Sequence, residues 1–210
     1  MAELIWQRDD AAPWRQVPFM MMLAAVKGFE WLGCRCPAMG RWYSRAFYKN
    51  MIASECDLAG LRPGMRVLHV GSGRLPMTAM ALAELGYEVL GVDHDPKAVE
   101  HSRAFLAKQK RCRSVRIACL EGAAADYASF DAVWISLHVF PKESVIDRAL
   151  RSLRAGGRVL YRNPQGWLAR FYPRVEPESV TNGRRCLRCT KHAIGKETVL
   201  LRKDEKTCRN

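Results

Sequence analysis

The stretch from Arg66 to Pro96 restricts the folds open to this chain more than any other. Val67 to Val70 is a short apolar run, the pattern of a strand buried on both faces in a parallel sheet. Gly71-Ser72-Gly73 follows directly. Glycine permits a sharp turn and lets a ligand come close to the backbone. Pro76 stands where the first turn of a helix begins, a position at which its missing N–H costs nothing. Ala79 to Leu85 favour helix, and Gly86 supplies a stop. A second apolar run, Val89 to Val92, ends at Asp93. Strand, glycine loop, helix, strand and acid make one βαβ unit laid out to bind a nucleoside.

The identity of the nucleoside follows partly by exclusion. A dinucleotide fingerprint places a third glycine where this chain has Pro76, and no G-K-[ST] triplet completes a Walker loop. The unit resembles the S-adenosylmethionine (SAM) site of enzymes with the class I methyltransferase fold. That resemblance implies a Rossmann-like, seven-stranded α/β sheet. It also implies that Gly71, Ser72, Gly73, Pro76 and Thr78 pass beneath SAM, while Asp93, with His94 beside it, holds the ribose hydroxyls.

With 210 residues and 49% hydrophobic content, the chain suits one α/β domain over 61–210 with a helical lid over 1–60. No stretch has the roughly 20 apolar residues that span a bilayer. Glu3, Arg8, Asp9 and Asp10 interrupt any early signal-like segment, so a cytoplasmic protein without membrane attachment is expected. The net charge of +13 favours polyanions. The basic residues are spread over the whole chain, however, so a small-molecule substrate is preferred to nucleic acid. Eight cysteines without a secretion signal read as reduced thiols. The spacing of Cys34-x-Cys36 is too short for a zinc pair, and Cys186-x-x-Cys189 lies in a basic strand-like segment; no metal is expected.

Along the chain, Phe19 to Trp31 reads as a core-facing helix, and a second helix runs from about Met39 to Ala59. The second helix carries Tyr43, Tyr48 and Glu55, which would face the cofactor if it lies over the pocket. Asp95 caps a helix that starts at Pro96. Val115 to Leu120 is a third strand, followed by Gly122, Ala123 and Ala124, whose small side chains leave room for an adenine ring. Phe130 to Val139 is a fourth strand that brings His138 near the reacting region, either as a base or as an edge histidine. Lys142 to Leu153 is a helix and Arg158 to Arg162 a fifth strand. Cys186 to Thr190 and Thr198 to Arg202 pair across Gly195.

Two segments narrow the resemblance. Gly71-Ser72-Gly73-Arg74-Leu75-Pro76-Met77-Thr78, and the run from Leu160 to Pro173, are similar to nicotianamine synthase and its bacterial opine-metallophore relatives. Those enzymes use SAM as an aminobutyrate donor. The resemblance covers about residues 66–175 and carries over Gly71, Gly73, Pro76, Thr78, Asp93, Arg162, Gly166, Tyr172 and Pro173. This chain differs at Arg74, Asn163 and Gln165, and it is shorter than most of the family. The resemblance implies SAM as co-substrate. By charge, Arg162 or the N–H groups from Gly73 to Met77 would hold the carboxylate of its amino acid arm. Asn163 is counted with the cofactor-binding residues, and Tyr172 is a catalytic candidate facing the sulfonium. Tyr48, Glu55 and His138 are the groups that could take a proton from an attacking amine. Four outcomes remain open: aminobutyryl transfer to a small amine, cyclisation of SAM to azetidine-2-carboxylate, methylation of a small molecule or RNA, or SAM binding without turnover in a regulatory module. The oligomeric state is not legible.

Overall fold

The computed structural model describes residues 49–109, 112–170, 172–181, 188–192 and 196–203, with the side chains of 181 and 188–192 outside that description. The expected helix over Phe19–Trp31, the lid residues before Lys49, and therefore Tyr43 and Tyr48, lie outside the described residues. The same holds for Cys34, Cys36 and Cys186.

The described elements are α1 (Lys49–Ala59), β1 (Arg66–Val70), α2 (Met77–Glu84), β2 (Glu88–Asp93), α3 (Pro96–Ala107), β3 (Val115–Cys119), β4 (Ala132–Ile135), α4 (Lys142–Ser152), β5 (Arg158–Pro164), α5 (Pro177–Thr181), β6 (Arg188–His192) and β7 (Lys196–Arg202). Short 3-10 turns occupy Gly122–Ala124 and Gly166–Arg170. Among the described residues the strands form one seven-stranded sheet in the order β3-β2-β1-β4-β5-β7-β6. The first five positions pair in parallel, and β7 runs antiparallel between β5 and β6.

Side chains alternate across each strand, so adjacent residues feed two cores. Val67, Val89, Trp134, Leu160 and Leu200 face α1, α2 and α3 with Ile52, Leu82 and Phe105. Leu68, Val92, Val133, Tyr161 and Val199 face α4 with Val145, Ile146 and Ala149. Burial on both faces explains the near-continuous apolar strands. The Asp95 side chain accepts the Lys97 N–H at 2.9 Å and caps α3, with Pro96 in its first turn.

The fourth strand is shorter than its sequence pattern suggests. It ends at Ile135, and Ser136 to Pro141 leave the sheet as a loop. This loop lies beside the switch point between β1 and β4, where strand order reverses and crevices open in such sheets.

Candidate functional site

The glycine loop turns with positive φ at Gly71 (78°) and Gly73 (68°). A Cβ at Gly71 would stand 2.6 Å from Val139 Cγ2, so both the backbone angle and the space require glycine. Gly91 on β2 serves the same turn from below: a Cβ there would meet Ile117 at 2.6 Å and Ser72 at 3.1 Å. Asp93 closes the βαβ unit as expected. Its carboxylate accepts the Gly73 N–H at 2.7 Å and the Asp95 N–H at 3.1 Å, which aims it across the loop. His94 is exposed, with Nδ1 3.6 Å from the Asp93 carboxylate.

A cavity of about 180 Å³ opens between this loop and the carboxyl ends of β1, β4 and β5. Its wall includes Gly71, Ser72, Thr78, His138, Arg162 and Tyr172, all singled out in the sequence. It also includes His69, Ser136, Trp167 and Lys196, which sequence reasoning missed. His69 had a visible signal: a polar residue inside an apolar strand. Lys196 had none, because β7 reaches the cavity only through its antiparallel pairing with β5.

Below the cavity lies a buried polar layer centred on Glu55, which is fully buried. Arg162 donates to it from Nε at 3.1 Å and from Nη2 at 2.9 Å, a two-pronged ion pair. Trp134 Nε1 donates at 3.0 Å, and the Thr198 hydroxyl donates to Oε1. With both oxygens engaged, Glu55 positions Arg162 and is not presented to the cavity as a base. Arg162 Nη1 then donates to the Thr78 hydroxyl at 3.1 Å, tying β5 to the first turn of α2. Lys142, also buried, donates to the Arg162 carbonyl at 2.8 Å. Burial lowers the Lys142 ammonium to about 8, with Glu143 acting in the opposite direction.

Asn163 lies elsewhere than the cofactor reading placed it. The alternation along β5 turns it to the opposite face from Arg162, where it accepts the Val175 N–H at 3.1 Å and donates to the Val175 carbonyl at 2.7 Å. It latches the segment after the cavity wall onto the sheet. Gly122 is small for a packing reason: a Cβ there would sit 2.7 Å from Val70 and 3.4 Å from Val145. Ala123 and Ala124 are exposed on the same turn. Pro76 precedes α2 as its cap residue.

His138 lines the cavity with part of its surface open to solvent and its imidazole set among protein atoms. Its imidazole pKa is lowered, chiefly by desolvation; Asp93 opposes that shift, and Lys196, Lys142 and Arg162 reinforce it. Lys196 is lowered to about 8, first by desolvation and then by Arg162, with Glu55 opposing. Among the described residues no three His, Cys, Asp or Glu side chains converge on a metal-sized site.

This topology has known counterparts. The MtNAS mutant solved in complex with S-adenosylmethionine superposes with a TM-score of 0.67 and 25% identity, over 74% of this chain and 61% of that one. The fold is that of the class I SAM-dependent methyltransferases. Residues 67–157 match the family model described as a methyltransferase domain. The L-histidine 2-aminobutanoyltransferase of Pseudomonas aeruginosa (strain UCBPP-PA14) is 31% identical over 151 residues, 70% of this chain and 56% of that protein. The ribosomal protein L11 methyltransferase of Thermus thermophilus is 30% identical over 162 residues, 74% of this chain and 60% of that protein. The chain thus spans little more than half the length of these curated relatives. No helix among the described residues is long and apolar enough to cross a membrane.

Proposed function

We propose that this chain is a SAM-dependent transferase that releases methylthioadenosine and passes the 3-amino-3-carboxypropyl group of SAM to a small nitrogen acceptor. The observation that carries this reading is the cavity itself. It joins Gly71 and Ser72, next to the Gly73 N–H that Asp93 holds, to Arg162, Lys196 and Tyr172 on the other side. Glycine at position 71 keeps the loop's close turn beside the cavity, since φ is positive there and a Cβ would stand 2.6 Å from Val139. The similarity to L-histidine 2-aminobutanoyltransferases and to MtNAS supports the same choice.

SAM brings an electrophilic carbon beside a sulfonium; the protein's share is binding, alignment and proton handling. Asp93 retains lone pairs for the ribose hydroxyls beyond those used by the two N–H groups. Arg162 and Thr78, fixed by Glu55, serve the carboxylate end of the amino acid arm. Tyr172 and Trp167 present aromatic faces for the sulfonium. Lys196 takes the proton that the acceptor loses once its nitrogen has attacked; Tyr48 and His138 are the alternatives for that step.

Without an acceptor, SAM's own amine can close onto its γ-carbon and yield azetidine-2-carboxylate. A methyltransferase is the second reading, favoured by the match to the methyltransferase family model and by a net charge of +13 that suits an RNA substrate. A cytoplasmic location accords with the free Cys56, Cys112 and Cys119. Incubation with SAM, with and without amines, followed by chromatography of the nucleoside products, separates these readings. Methylthioadenosine that depends on an added amine supports transfer; methylthioadenosine with azetidine-2-carboxylate and no acceptor supports cyclisation. S-adenosylhomocysteine as the product would overturn the proposal.

A further inference from the structure

Arg162 is held at both ends. Its guanidinium is engaged by Glu55 and Thr78, and its carbonyl accepts from Lys142 Nζ at 2.8 Å. The second contact answers a gap in the sheet. The pairing of β4 with β5 stops at Ile135 and Tyr161, and residues 136–141 then leave the sheet. The Arg162 carbonyl lies one residue beyond that last rung, and a buried carbonyl without a donor is destabilising. Lys142 supplies the donor from the first residue of α4.

Packing alone does not call for a lysine at this position. Its side chain is 1% exposed. An ammonium in the first turn of a helix opposes the helix dipole, and burial disfavours it further. Desolvation accordingly lowers its pKa to about 8, with the neighbouring Glu143 acting the other way. An apolar side chain of similar length would fill the same space without that penalty, as Val145, Ile146 and Ala149 do on the same helix. It would lack the donor to Arg162. The described cavity wall does not include Lys142, so its direct link to the site is the Arg162 carbonyl.

We propose that Lys142 is a positioning residue: by holding the Arg162 carbonyl it sets where the Arg162 guanidinium meets the carboxylate of the SAM amino acid arm. This rests on the reading in which Arg162 serves that carboxylate. Contact between a guanidinium and a carboxylate is directional and tolerates little displacement. Glu55 and Thr78 fix the head of the side chain, and Lys142 fixes the backbone from which it springs. A shift of β5 at Arg162 therefore weakens ligands that carry the arm and spares those that lack it.

The test is calorimetry on the whole chain with S-adenosylhomocysteine and methylthioadenosine as probes. Both are uncharged at sulfur, and of the two the first alone carries the amino acid arm. The wild type is expected to hold S-adenosylhomocysteine at least about tenfold tighter than methylthioadenosine. Lys142→Met, or Lys142→Leu should the first not fold, is expected to cut that preference about three- to tenfold while methylthioadenosine affinity stays within about twofold. Lys142→Gln, which loses the charge but keeps a donor on a shorter stem, should retain more of the preference. An unchanged preference in the apolar variant overturns the proposal. So does equal weakening of both ligands, or failure of both apolar variants to fold, each of which marks a structural role alone. A loss in Lys142→Gln as large as in the apolar variant assigns the effect to charge and overturns it as well. The parent reading fails separately, in the wild type: equal affinity for the two probes removes Arg162 from the carboxylate, and binding of neither removes the SAM site.

Discussion

On the β2 side of the cavity, Gly73 and Asp93 meet across 20 residues of sequence. On the β5 side, Glu55 meets Arg162 across 107 residues and Thr198 across 143. The near side relies on backbone N–H groups and glycine angles, which the local chain dictates by itself. The far side is a charged, buried assembly that exists only after α1, β4, β5 and β7 have packed. The first half should therefore fail as a binding site while the fold persists, and the second should fail as a fold.

The largest effect is expected from Glu55→Ala. It leaves the Arg162 guanidinium buried without its carboxylate, and losing one member of a buried pair costs about 3–5 kcal/mol. Urea unfolding should show the drop. A loss below about 1 kcal/mol would mean that the polar layer is not a structural unit. Asp93→Ala is the matching change on the near side. It should weaken SAM by about 100-fold, near 2.7 kcal/mol, with a far smaller change in unfolding midpoint. Calorimetry showing unaltered SAM affinity would remove Asp93 from the nucleoside site.

The contrast also explains what could be read before the structure. The parallel strands, the glycine turn, Asp93 and the Asp95 cap are local patterns with direct physical causes, and they stand where the sequence placed them except for the fourth strand, which is cut short to Ala132–Ile135. The antiparallel pair was legible as well, with boundaries shifted to Arg188–His192 and Lys196–Arg202. Glu55 was singled out in the sequence as a proton acceptor; its engagement by Arg162, Trp134 and Thr198 was not legible, because three long-range contacts create it. Asn163 shows the reverse limit: one step along a strand reverses the face, and a motif match does not show which face holds the ligand.

Acid separates the halves by a different route. The native site keeps His69 neutral, whereas the unfolded chain protonates it below its ordinary 6.5. The unfolded state then binds more protons, so stability falls as pH drops from 6.5 towards about 3. At pH 5 the loss from this residue is about 2 kcal/mol. His69→Phe should flatten the urea stability profile between pH 7 and 5; an unchanged slope would show that His69 is not held neutral.

Lys196 gives an opposite pH signature in turnover. With its ammonium lowered to about 8, the neutral amine grows as pH rises, so methylthioadenosine release should increase up to about pH 8 and then level off. Lys196→Met should slow release by about tenfold and remove that inflection. A profile unchanged in the variant would assign proton removal to another group.

Trp167 tests the rim, where neither half dominates. Its side chain is 60% exposed although it lines the cavity. An exposed position contributes little to folding, so Trp167→Ala should alter stability by no more than about 0.5 kcal/mol. An aromatic face beside a solvated sulfonium is worth about 0.5–1 kcal/mol, which predicts a two- to fivefold weaker SAM affinity. A larger loss of affinity would mean that Trp167 closes over SAM and excludes water, making it part of the far half. No loss would leave Tyr172 as the aromatic partner of the sulfonium on that wall.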